Sequence, residues 1–176
     1  SPAFIEVDDR GLIVHISDKR RDQTLPLEVV NGLAVPGFQN AHSHAFQYAM
    51  AGMAERHQPN ATDDFWTWRE AMYTCALSMD PAQLQAVAAM LYSEMLKRGY
   101  THVAEFQYLH HDKDGKPYAH VSEMSVSLVA AAAIAGIKIT LIPVYYQMGG
   151  FGKNAEPTQR RFCFRDVEEY FKLLDE

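Results

Sequence analysis

DPAQLQAVAAMLYSEMLKRGYTHVAEF, residues 80–106, is the stretch whose reading decides the fold. Asp80 is an N-cap residue, Pro81 suits the first helical position, and Gln83 stands where a capping box places Glu or Gln. Leu84, Val87, Ala88, Leu91 and Met95 recur at helical spacing, and Gly99 supplies a left-handed stop. Residues 101–106 then read as a strand. Further on, Ser122 opens a second helix that runs through an alanine-rich stretch to Gly136, and 137–144 is a strand rich in β-branched residues. Asp166 begins a third helix, with Val167, Tyr170, Phe171 and Leu174 on one face. Helix, short loop and buried strand, repeated, is the signature of parallel βαβ units in an α/β fold, either a doubly wound sheet or a (β/α)8 barrel.

Toward the N-terminus the pattern is β-rich. Residues 4–7 and 12–16 are short β-like runs around the turn Asp8-Asp9-Arg10-Gly11, which suggests a hairpin. Residues 27–30 read as extended, Asn31-Gly32 as a turn, and Leu33-Ala34-Val35 as a buried strand that Pro36-Gly37 breaks. The division expected is 1–32 as part of a small β domain and 33–176 as the first βα units of the larger one. A complete barrel needs about 250 residues. With 176 residues, and a last segment inside an amphipathic helix, the expectation is one part of a longer polypeptide.

Composition narrows the function classes. At 48% apolar and 22% charged, the sequence describes a globular fold and not a disordered tail, a collagen-like rod or a coiled coil. The net charge of -6, with Lys19-Arg20-Arg21 as the one basic cluster, argues against a nucleic-acid partner. The longest apolar run, 128–137, is half a membrane span at most and reads as a buried helix, so no membrane partner is expected. Charged residues interrupt the first thirty positions, and there is no signal-peptide apolar region. Cys75 and Cys163 fit neither a C-x-x-C motif nor a disulfide scaffold, and a reducing, cytoplasmic setting is expected.

His42-Ser43-His44 is the sharpest chemical feature. In extended backbone, i and i+2 share a face, so both imidazoles can converge on one cation such as zinc. A catalytic zinc needs about three protein ligands and an open position, so further ligands must come from elsewhere. Arg69, within Phe65-Trp66-Thr67-Trp68-Arg69-Glu70, is a fork for a substrate carboxylate or a surface guanidinium stacked on Trp or paired with Glu70. Any polar group of the stretch 105–112 could face a site, but His110-His111 read as an exposed, solvated turn. Gly149-Gly150-Phe151-Gly152 lacks P-loop and dinucleotide spacing and reads as a flexible loop that approaches ligand or backbone closely.

Pro36-Gly37-Phe38-Gln39-Asn40-Ala41-His42-Ser43-His44 resembles the opening motif of the amidohydrolase superfamily. His44-Ala45-Phe46-Gln47, Met50-Ala51-Gly52-Met53-Ala54-Glu55, residues 65–70 and 105–111, Gly149-Gly150-Phe151-Gly152 and Gln159-Arg160-Arg161-Phe162 resemble its formimidoylglutamate deiminase family. The resemblance implies the N-terminal part of a (β/α)8 TIM-like metal-dependent hydrolase barrel, a small β-sandwich domain, and one divalent metal, usually zinc. It implies hydrolysis of N-formimidoyl-L-glutamate to N-formyl-L-glutamate and ammonia, a step of histidine degradation. His42 and His44 would then be metal ligands, and Gln47, Arg69 and Tyr108 substrate contacts, with Arg69 on a carboxylate. The remaining ligands and the proton-shuttling His and Glu are expected beyond Glu176, so that this chain alone would be incomplete for catalysis. The expected partners are a small anionic molecule and the remainder of its own chain, with room for a homodimer. Alternatives are another superfamily deaminase or an imidazolonepropionase-like enzyme, and a non-catalytic metal-binding module.

Overall fold

The computed structural model describes residues 3–53 and 65–176. The chain divides into two compact units, Ser1–Val35 and Pro36–Glu176.

In the first unit, β1 (Phe4–Val7) and β2 (Ile13–Ser17) form the expected antiparallel hairpin, with Ile5 opposite Ile16. Asp8 makes the turn, its carboxylate accepting the backbone N–H groups of Arg10 at 3.0 Å and Leu12 at 2.8 Å. Gly11 supplies the positive φ of 77°. The strand expected at Leu33-Ala34-Val35 is absent. These residues form no regular element, and Leu33 is 97% exposed. The stretch 27–30 is likewise exposed and unpaired in any ladder.

The second unit holds a three-stranded parallel sheet in the order β3-β4-β5, from β3 (Phe38–Ser43), β4 (Tyr100–Gln107) and β5 (Lys138–Pro143). The strand therefore begins after Pro36-Gly37 and not before it. Pro36 has no N–H to give to a ladder, and pairing opens at Phe38, whose N–H bonds Gly99 O at 2.8 Å. Gly37 is required there, because a Cβ would stand 2.2 Å from Thr101 Cγ2.

Between the strands run the helices α1 (Phe65–Ser78), α2 (Pro81–Lys97) and α3 (Glu123–Ala135). The capping box forms as read: Asp80 accepts from Gln83 N at 2.8 Å, and Gln83 Oε1 accepts from Asp80 N at 2.9 Å. Gly99 and Gly136 stop α2 and α3 with φ of 86° and 83°. The core lies between sheet and helices, around Leu84, Ala88, Tyr92, Val103, Met124, Leu128 and Ala131. Each fully buried leucine there contributes about 1.5–3 kcal/mol. The alanine-rich helix is buried on one face only, since Val126, Val129 and Ile134 are exposed.

The glycine run forms a small hairpin, β6 (Met148–Gly150) with β7 (Lys153–Asn154). The last helix, α4 (Val167–Leu174), is capped by Asp166, but the face read as apolar does not pack: Val167, Phe171 and Leu174 are exposed, and Leu173 is the buried residue. Tyr170 holds the helix down through its hydroxyl, which donates to Pro143 O at 2.9 Å.

Candidate functional site

Strand alternation at the end of β3 sorts three residues. Ser43 is buried, while His42 and His44 lie on the other side with their Nε2 atoms 2.9 Å apart and their rings edge to face at 88°. Both imidazoles are held by one residue of β4. The Phe106 ring stacks on His42 at 4.4 Å, and the Phe106 carbonyl accepts from His44 Nδ1 at 3.0 Å. That bond places the His44 proton on Nδ1 and leaves the Nε2 lone pair for a cation or a donor.

Glu105 stands on the opposite face of β4, opposite Ser43 in the ladder and 2% exposed. Its Oε1 accepts the Ala45 N–H at 2.6 Å, while its Oε2 and the buried Tyr92 hydroxyl have no hydrogen-bond partner among the described residues. Burial raises its pKa, opposed by Ala45, Ser43, Tyr92 and His42. The Tyr92 hydroxyl is raised too, first by burial and then by Glu105. Glu105 thus clamps the start of the 3-10 helix Ala45–Met50, which carries Gln47. Gln47 N bonds His44 O at 3.0 Å, so Gln47 sits one tight turn beyond His44 and above it.

Tyr108 follows β4 by one residue and meets the His44 ring edge to face at 5.2 Å. Arg69, on α1, donates from Nε to the Tyr73 hydroxyl at 3.1 Å, and its Cζ lies 5.6 Å from the Trp66 ring and 5.2 Å from the Tyr73 ring. The bond to Tyr73 is the main cause that raises the Arg69 pKa, which keeps the guanidinium charged. Phe162 joins these elements, with centroids 5.7 Å from Tyr73, 5.9 Å from Tyr108 and 6.5 Å from Phe46. The structure therefore sets His44 against both His42 and Tyr108, links Arg69 to Tyr108 through Tyr73 and Phe162, and ties Gln47 to His44 by a backbone bond.

His110 and His111 are not solvated; they are 2% and 4% exposed. Arg161 overturns that reading. Its backbone carbonyl accepts both histidine N–H groups, at 3.1 and 3.2 Å, and folds them inward against Phe164. His110 Nε2 also bonds Val144 O at 3.0 Å, and burial lowers its pKa to about 3. The fully buried Arg161 guanidinium donates to the carbonyls of His111, Ala76 and Met79 and to the Tyr118 hydroxyl. A cavity of about 460 Å³, lined by Met50, Cys75, Met79 and Val87 among others, contains none of the candidate site residues.

Two imidazole nitrogens suit a borderline divalent metal, but they are only part of a coordination set. Among the described residues, no group of three His, Cys, Asp or Glu side chains converges on one point. Sequence reasoning gave no site role to Tyr73, Gln159 or Phe162, although the last two lie in a stretch that resembles the family. Tyr73 stands four positions after Arg69, a helical neighbour that spacing could have flagged. Gln159 bonds Tyr73 across 86 positions, for which the sequence carries no local signal.

Residues 33–175 match the amidohydrolase family. This chain belongs to that family. Over 148 residues it is 51% identical to formimidoylglutamate deiminase of Pseudomonas aeruginosa, a match covering 84% of this chain and 32% of that protein. An amidohydrolase of Brucella melitensis superposes with a TM-score of 0.82 at 46% identity, over 97% of this chain and 37% of that one. A mutant atrazine chlorohydrolase of Arthrobacter aurescens, solved with zinc and atraton, gives 0.67 at 19% identity over 99% of this chain and 41% of that one, a likeness of fold alone. The amidohydrolase chain thus spans about a third of the length of the relatives it matches. No helix among the described residues is long and apolar enough to cross a membrane.

Proposed function

We propose that this segment is the N-terminal part of a formimidoylglutamate deiminase: residues up to 32 contribute to a small β domain, and 33–176 supply the first βα units of a (β/α)8 barrel. The parallel order β3-β4-β5 and the division after Val35 support that architecture. Convergence of the His42 and His44 Nε2 atoms, with His44 Nδ1 committed to a carbonyl, is the observation that carries the reading. His42 and His44 hold one divalent metal, zinc, together with ligands from outside this segment. The metal, when bound, supplies Lewis acidity and a water of lowered pKa, about 7.

The other residues prepare the substrate. Arg69 pairs with a glutamate carboxylate, which an acidic chain of net charge -6 must attract locally. Tyr108 and Gln47 flank His44 and orient the formimino group, whose C–N bond hydrolyses to release ammonia in histidine degradation. The working compartment is the cytoplasm.

The test is ammonia release from N-formimidoyl-L-glutamate by the full-length polypeptide carrying this segment, with zinc content measured in parallel. Turnover with stoichiometric zinc, zinc lost in His42→Ala, and a KM raised at least tenfold in Arg69→Met with metal retained are expected. A parent that leaves this substrate intact, or His42→Ala with full zinc, refutes the reading.

A further inference from the structure

We propose that Gln159, Tyr73 and Tyr146 form a positioning network that fixes the Arg69 guanidinium for a substrate carboxylate. The inference rests on the assignment of Arg69 above and names the residues that aim it.

Gln159 is fully buried, and its amide is fully spent. Oε1 accepts the Glu156 N–H at 2.7 Å, and Nε2 donates to the hydroxyls of Tyr73 at 2.9 Å and Tyr146 at 2.7 Å. A backbone N–H can only donate, so the Glu156 bond decides which end of the amide is oxygen and directs both NH2 hydrogens to the phenols. Tyr73, receiving from Gln159, also receives from Arg69 Nε at 3.1 Å. The Tyr73 oxygen is therefore held as an acceptor at a fixed point, and the guanidinium is pinned through Nε. Its two terminal amino groups take no part in that bond and remain the fork that matches a carboxylate.

The same amide steadies the other side of the site. Tyr146 lies edge-on to Tyr108 at 6.4 Å, and Tyr108 lies against His44. The glycine hairpin closes over this point. A Cβ on Gly149 would stand 2.5 Å from Asn154 O and 3.0 Å from Gln159 Oε1, so only glycine lets the chain pass.

The experiment uses the full-length polypeptide with Tyr73→Phe and, separately, Gln159→Met. KM for formimidoylglutamate is expected to rise roughly tenfold, the scale of one long side chain that must be ordered on binding. Expected alongside are kcat within about twofold, unchanged zinc, and unchanged kcat/KM for an N-alkylformamidine lacking carboxylates. The Arg69 Nε–H proton resonance, assigned by its loss in Arg69→Lys, is expected to be protected from exchange in the parent and to exchange fast in both variants. Equal protection in parent and Tyr73→Phe overturns the proposal, as does an equal loss on the carboxylate-free amidine. A parent inactive on formimidoylglutamate defeats the functional reading alone, because the Nε–H exchange still decides the network.

Discussion

Replacing Glu105 tests how the histidine pair is held. The buried carboxylate receives the Ala45 N–H at 2.6 Å through Oε1. In Glu105→Gln one acceptor oxygen survives but the charge is lost. A charge-assisted bond of about 1.5–3 kcal/mol becomes a neutral one of about 0.5–1.5, a net cost of roughly 1–1.5 kcal/mol. In Glu105→Leu the Ala45 N–H loses its acceptor. That buried donor alone costs about 1–3 kcal/mol, and the start of the 3-10 helix after His44 loosens. Groups behind a metal's ligands typically govern it by 10- to 100-fold in affinity. The assay is zinc competition against a chelator, with a thermal melt in parallel. About tenfold weaker zinc in Glu105→Gln and a larger loss in Glu105→Leu are expected. Unaltered zinc affinity in Glu105→Leu, together with a melting point within about 2 °C of the parent, refutes the reasoning.

Acid should weaken the fold through His110. Its folded pKa of about 3 lies below the ordinary histidine value of 6.5, so the unfolded chain binds the extra proton. The contribution is complete above about pH 6.5 and falls as pH drops toward 3, by roughly 2 kcal/mol at pH 5. His110→Gln should flatten the fall in melting temperature between pH 7.5 and 5, and an equally steep fall in the variant counts against this. Arg161→Leu leaves the carbonyls of His111, Ala76 and Met79 without their donor, each buried acceptor costing about 1–3 kcal/mol, and should lower the melting temperature. Arg161→Lys should lose less, and equal melting temperatures for Arg161→Leu and the parent would contradict the role.

Features set by neighbours in sequence were legible. The capping box at Asp80, the glycine stops and the Asp8 turn depend on residues within four positions, and each stands where it was read. The His42 and His44 convergence follows from strand alternation in the same way. What failed depended on distant partners. Leu33-Ala34-Val35 has a strand's composition, but the ladder with β4 begins at Phe38. His110-His111 precede a charged turn, yet a carbonyl fifty positions away draws them inward. The packing side of α4 is set by Leu173 and by Tyr170, which packs while the other stripe residues, Val167, Phe171 and Leu174, stay exposed.

Phe106 touches the two imidazoles by different means, its ring against His42 and its peptide oxygen on His44. Only the first of these can be removed by changing the side chain. A mutational scan through position 106 would register the stacking and stay blind to the tautomer lock, which every amino acid at that position provides. The His44 half of the pair is in this sense encoded by the path of β4 and not by any residue's identity. A designer who redrew the neighbouring strand while keeping every functional side chain would lose it without changing one of them.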